Sequence, residues 1–256
     1  YDKMLPFEKH IYLNNRGNSY YFRADYPNAL EFFRKSLLFT DECISEFEKI
    51  LPEIMKQDGT KSQRVINGCN ALMVYYIKKV NLEYSLGEEI SKVKESYERL
   101  LIYYSQAWSM GQGYIELIRI LSLGVLLRID KSQMKTLENK IRQENLNDYF
   151  VNFLLKAIDK EWEMTTQKFV FPNLYESVKS IIEAKENQER IFLLKDYLEN
   201  KWYRIHNETA WHNSHLSDQN TYYGYWAYEA GAVAKILDLE DGALKEQRYY
   251  PFDLVH

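Results

Sequence analysis

Apolar side chains recur at three- and four-residue intervals along most of the chain. Nowhere do they alternate with polar ones at the period of two that a half-buried strand requires. The first run is Leu30, Phe33, Leu37, Ile44, Phe47, Leu51 and Ile54, with Thr40 interrupting the seam. It predicts a long amphipathic helix that opens near Pro27 and is kinked or ended by Pro52. Asp58-Gly59 reads as a turn, and Thr60 to Gln63 as a capping box. Ile66, Cys69, Met73, Tyr76, Ile77 and Val80 then form a second face that stops near Gly87. Ile90, Val93, Tyr97, Leu100, Leu101 and Tyr104 form a third, with Glu88 and Glu89 at the helix end that favours anions. Gly111 and Gly113 precede a fourth helix, apolar on more than one side and so expected at the centre. Asp130 to Gln133 reads as another cap, and Asn147 as the start of a sixth helix. Residues 165–173 form the best linker, followed by helices over about 174–184 and 188–203. A polar stretch covers 204–220, and a last helix is expected from about Tyr222 to Leu237. Residues 1–24 show no sustained period and predict a loose start or a short helix.

These elements predict an all-α fold, a multi-helix bundle or short irregular α-solenoid of about nine to ten helices with no sheet. No fixed repeat period occurs, which argues against a regular repeat array. Two helical domains are expected, 1–129 and 130–256, which could still pack as one unit. Only 10 Gly and 5 Pro in 256 residues also disfavour an all-β architecture. The net charge of −4 argues against direct nucleic-acid binding, which calls for a basic stripe. Cys43 and Cys69 both fall at apolar helix positions and read as buried free thiols. The most apolar segment, 114–129, is broken by Glu116, Arg119, Ser122 and Arg128, so no membrane span is expected. Without an N-terminal apolar run, the cytoplasm is the expected compartment.

Three constellations could carry chemistry. His206, His212 and His215 fall within ten residues, and on a helix Glu208, His212 and His215 would share a face able to hold a metal. The spacing matches no named metal motif, so loop residues that bond helix ends are the competing account. Gly111-Gln112-Gly113 follows no strand and lacks a Lys-Ser/Thr pair; it reads as a helix junction rather than a phosphate loop. The aromatic ladder Tyr222, Tyr225 and Trp226, with Glu229, would lie on one side of the last helix. Core packing with Trp226 buried competes there with an interface hot spot.

Trp202-Tyr203, Trp211, His215 and the run Tyr222 to Ala230, with Gly224, Tyr225, Trp226 and Glu229, form an ordered C-terminal signature. It closes with an acidic turn at Glu240-Asp241 and then Tyr249-Tyr250-Pro251-Phe252-Asp253-Leu254. In this it resembles the PoNi-type immunity proteins, helical antidotes to polymorphic nuclease toxins. Tyr84-Ser85-Leu86-Gly87 and Tyr103-Tyr104 are similar to that family's first domain. The resemblance implies an all-α protein that binds and neutralises a cognate nuclease toxin stoichiometrically, without catalysis or cofactor. It also implies that the motif residues are structural and that the toxin-reading surface varies among members. A nuclease faces a polyanion and carries Lys and Arg, so acidic faces are the candidate contacts. Asp41, Glu42, Glu46 and Glu53 on the first helix come first, then Asp238, Glu240 and Asp241, then Glu183, Glu186 and Glu189. Homo-oligomerisation is compatible with this reading. A metal-dependent hydrolase using the 206–215 cluster and a helical scaffold with another partner remain the alternatives.

Overall fold

Thr40 belongs to the first apolar seam after all. It is fully buried, and its hydroxyl donates to the Ser36 carbonyl one turn back (2.7 Å). A computed structural model describes residues 26–216 and 222–256, and carries this seam on one helix, α1 (Tyr26–Asp58). The start expected over 1–24 lies outside the described residues. Pro52 does not end α1. It sits on the solvent side, where the Glu48 carbonyl that loses its amide donor can meet water. Buried Leu51 and half-buried Ile54 still hold the last turns against the core.

Gly59 turns the chain with φ 81°. α2 (Gln63–Leu86) is capped by Ser62, whose hydroxyl accepts from the Val65 amide, and not by Thr60. It stops at Gly87, left-handed at φ 71°, which donates back to the carbonyls of Glu83 and Tyr84. α3 (Ile90–Ala107) follows, and α1, α2 and α3 pack in sequence with α2 in the middle. A single turn at Met110–Gln112 and Gly113 lead into α4 (Tyr114–Leu126), buried from Leu117 to Leu126. α5 (Lys131–Gln143) opens with the expected capping box of Asp130 and Gln133.

α6 (Tyr149–Ile158) is capped by Asp148. After an irregular connection come α7 (Pro172–Glu183) and α8 (Asn187–Asp196). α8 widens into a π turn at Tyr197–Lys201 before the short turn Trp202–Ile205. The last helix of more than one turn is α9 (Tyr228–Ile236), shorter than expected. Residues 222–227 are not helical: Gly224 has φ 98°, and the Ala227 amide donates to the Tyr249 carbonyl (2.8 Å) instead of to a helical turn. The tail ends in α10 (Phe252–Val255). No strand occurs among the described residues, and the fold is all-α. α4 packs along α9, so the segments expected as two domains contribute to one continuous core.

Candidate functional site

The signature residues converge on the end of α2. Trp226 Nε1 donates to Ser85 Oγ (2.9 Å), and Ser85 Oγ donates to the Tyr223 carbonyl (3.0 Å). Tyr228 donates to Asn81 Oδ1 (3.0 Å), and the Tyr84 ring stands edge-on to Trp226 at 4.5 Å. Tyr222, Gly224, Tyr225, Trp226 and Glu229 are all buried. The ladder is therefore core packing carried largely by an irregular strap and not by a helix face. Tyr197 donates to the Glu229 carboxylate (2.9 Å) in full burial. Burial raises the Glu229 pKa, against the pull of that bond and of Arg119.

A second aromatic cluster adjoins it. Trp202 stacks on Trp211 at 5.4 Å and meets Tyr249 at 4.5 Å. Tyr250 donates to the buried Asp241 carboxylate, and Asp241 also bonds His256 Nε2 at 2.8 Å. Asp241, 1% exposed, is thus not the rim charge expected of it. Pro251 packs on Gly231, where a Cβ would come within 2.7 Å of its ring. Asp253 is exposed, and its backbone lies against the buried Tyr84 hydroxyl.

His206, His212 and His215 are not gathered at one point. Residues 206–213 are turns, so helical spacing does not bring Glu208 and His212 to one face. Among the described residues, no three His, Cys, Asp or Glu side chains converge. His206 is 2% exposed. Its Nδ1 donates to the Trp202 carbonyl (2.7 Å), which leaves Nε2 to accept from Tyr175 (3.1 Å). Burial, assisted by Arg119, pushes its pKa down to about 4 despite the bond to Trp202. His212 stacks on Tyr203 at 4.1 Å, and His215 Nδ1 lies 2.8 Å from the Tyr225 hydroxyl.

The acidic faces separate by geometry. Asp41 pairs with Lys79 (2.6 Å) and is only partly exposed, so it is a weaker contact candidate than expected. Glu42, Glu46 and Glu53 are exposed on α1. Asp238 and Glu240 are exposed in the turn after α9, and Glu183, Glu186 and Glu189 around the α7–α8 junction. Asp148 was not singled out by its sequence context. Its buried carboxylate accepts from the amides of Phe150, Val151 and Val170 and from the Tyr114 hydroxyl. Only its place before an apolar run could have marked it as a cap.

Two family models match the chain in tandem. Residues 23–139 match the N-terminal model of the PoNe immunity proteins (PoNi), and residues 146–254 match the C-terminal model. No curated protein matches. Among solved structures, the chain is similar to protein PA2201 from Pseudomonas aeruginosa. The identity is 15%, over 90% of this chain and 95% of that one, with a TM-score of 0.60. At that identity the likeness concerns the fold.

Proposed function

This chain belongs to the PoNe immunity protein (PoNi) family, and we propose that it is an antidote that binds its cognate PoNe nuclease toxin one-to-one and holds it inactive, without a catalytic step. The tandem family match over nearly the whole chain carries this reading. Two of the three histidines of the 206–215 stretch fit this reading. His206 has both ring nitrogens engaged in the core, and His215 is bonded to Tyr225. The net charge of −4 suits a basic partner better than a nucleic acid. No helix among the described residues is long and apolar enough to cross a membrane. We assign the antidote to the cytoplasm, where a delivered nuclease meets DNA, in competition between bacteria.

Titration of purified protein into the active toxin nuclease domain tests the reading. DNA cleavage should fall linearly and vanish at one equivalent, with a complex of both chains on gel filtration. Substoichiometric protein that destroys the toxin would instead mean catalysis, and the absence of any complex would sink the proposal.

A further inference from the structure

The outer face of the α1–α2 pair is apolar and uncovered among the described residues. On α1, Phe39, Glu42, Glu46, Ile50 and Glu53 follow at three- and four-residue spacing and share a stripe. Phe39 is 58% and Ile50 55% exposed, and Val74 on α2 is 58% exposed. Beside this stripe runs a groove of about 520 Å³ whose floor includes Phe47, Ile50, Leu51, Ile54 and Ala71. α2 contributes the small residues Gly68 and Ala71 to its wall, and Leu51 of α1 packs directly over Gly68. A Cβ on Gly68 would lie 2.8 Å from the Leu51 side chain.

The charges at the groove are sorted. Asp41 and Glu48 of α1 are spent on Lys79 and Arg99, and Arg64 at the rim is spent on Asp58. Glu42, Glu46 and Glu53 make no ion pair among the described residues. Lys49, three residues after Glu46 and four before Glu53, and Lys56, three after Glu53, flank this edge on α1 without closing an ion pair to it among the described residues. The face therefore combines an apolar slot with an unpaired acidic edge. A cleft between α3 and α5, about 620 Å³, offers less. It carries one strongly exposed apolar residue, Ile102, and its Arg99 is already held by Glu48.

We propose that the α1–α2 groove receives the cognate toxin, through a bulky apolar side chain seated between the helices and flanking Lys or Arg residues against Glu42, Glu46 and Glu53. The assignment rests on the antidote reading above. A nuclease surface is cationic because it must hold phosphates, which matches the acidic edge. Rim charges steer association, and a desolvated apolar anchor sets how long the complex lasts. The groove supplies both parts.

The test measures binding kinetics of the full chain with the toxin nuclease domain, its catalytic residues replaced. Ile50→Asp in the groove, and Val74→Asp three residues beyond its Ala71 wall on α2, should each speed dissociation at least tenfold. The pair Glu46→Lys and Glu53→Lys should slow association about tenfold at low salt. That difference should fade at 1 M salt, where the screening length is about 3 Å. Ile102→Asp in the competing cleft should change nothing. All five positions are exposed, and thermal melts confirm that each variant folds. If the unsubstituted chain does not bind the toxin, the antidote reading fails. If it binds and the groove variants bind equally well, or only Ile102→Asp weakens binding, the groove assignment alone is overturned. Sedimentation supplies the last outcome. Groove variants that turn a dimer into a monomer while keeping toxin affinity would assign the face to a second copy and overturn the proposal.

Discussion

Gly224 occupies a position that no other residue fits. Its φ of 98° lies in the region that L side chains avoid, and a Cβ there would sit 2.2 Å from Ser85 Oγ. That oxygen cannot simply turn away, because it accepts from Trp226 and donates to Tyr223. Gly224→Ala should cost at least about 1–3 kcal/mol in backbone strain, with the broken hydrogen bonds adding to it. Gly242→Ala, where a Cβ meets nothing within 4 Å, is the control and should melt close to the parent. Equal melting temperatures for the two variants would contradict the close-approach argument. His206 makes a different prediction, through pH. Its pKa is about 4 in the fold, against an ordinary imidazole value of about 6.5. Between those values the unfolded chain binds more protons, so stability rises with pH. The His206 contribution is complete above about pH 6.5 and is lost as pH falls toward 4, about 3 kcal/mol in all. Arg119 and His212 act on the same ring and work in the same direction. Denaturant midpoints measured from pH 7 to 4.5 should therefore fall less steeply for His206→Gln than for the parent. Parallel slopes would show that another group carries the acid sensitivity.

At the scale of elements, Pro52 offers the simplest measurement. It leaves the Glu48 carbonyl without its helical donor while the helix runs on to Asp58. Pro52→Ala should restore that bond and raise stability by roughly 1–2 kcal/mol, less than the full interior cost because water reaches the site. No gain in the denaturant midpoint would mean that proline's restraint of the unfolded chain offsets the missing bond. Pro52 also shows what the sequence made legible. The seam of α1 was readable as a period, but whether burial of Leu51 and Ile54 outweighs a proline depends on contacts that a period does not contain. Stops and caps were readable where one residue type fits one geometry, as at Gly87 and at Asp130 with Gln133. Residues 222–227, where the pattern predicts the start of the last helix, are not helical. Their aromatics fit a helix equally well, and the bonds to Ser85 and to the Tyr249 carbonyl fix the non-helical path. The histidine stretch failed in the same way. Helical spacing suggested a shared face for Glu208 and His212 where the chain turns instead. In both stretches distant parts of the chain decide the conformation, and a local pattern cannot report them.

Those distant contacts make a prediction about the whole molecule. Tyr228 bonds Asn81 across 147 positions, and Trp226 bonds Ser85 across 141. α4 lies along α9, and the Tyr84 ring is covered by Trp226 and the tail. The tandem family segments, 23–139 and 146–254, thus meet through a shared core and not through a wet contact between finished domains. A hinge there would expose Tyr84, Trp226 and the apolar face of α4, at about 25 cal/mol for each Å² uncovered. The proposed antidote role would benefit from this union, because a preformed α1–α2 face would pay little ordering entropy on binding the proposed toxin. Cutting the chain between Glu144 and Asn145, in the exposed turn after α5, tests the point. Residues 1–144 alone should lack a cooperative melt and bind apolar dyes, even though they contain the whole proposed docking face. Adding residues 145–256 should restore near-ultraviolet dichroism and toxin binding together. A cooperative melt and parental toxin affinity from residues 1–144 alone would show that the N-terminal helices fold independently. The C-terminal aromatic signature would then serve something other than completion of their core.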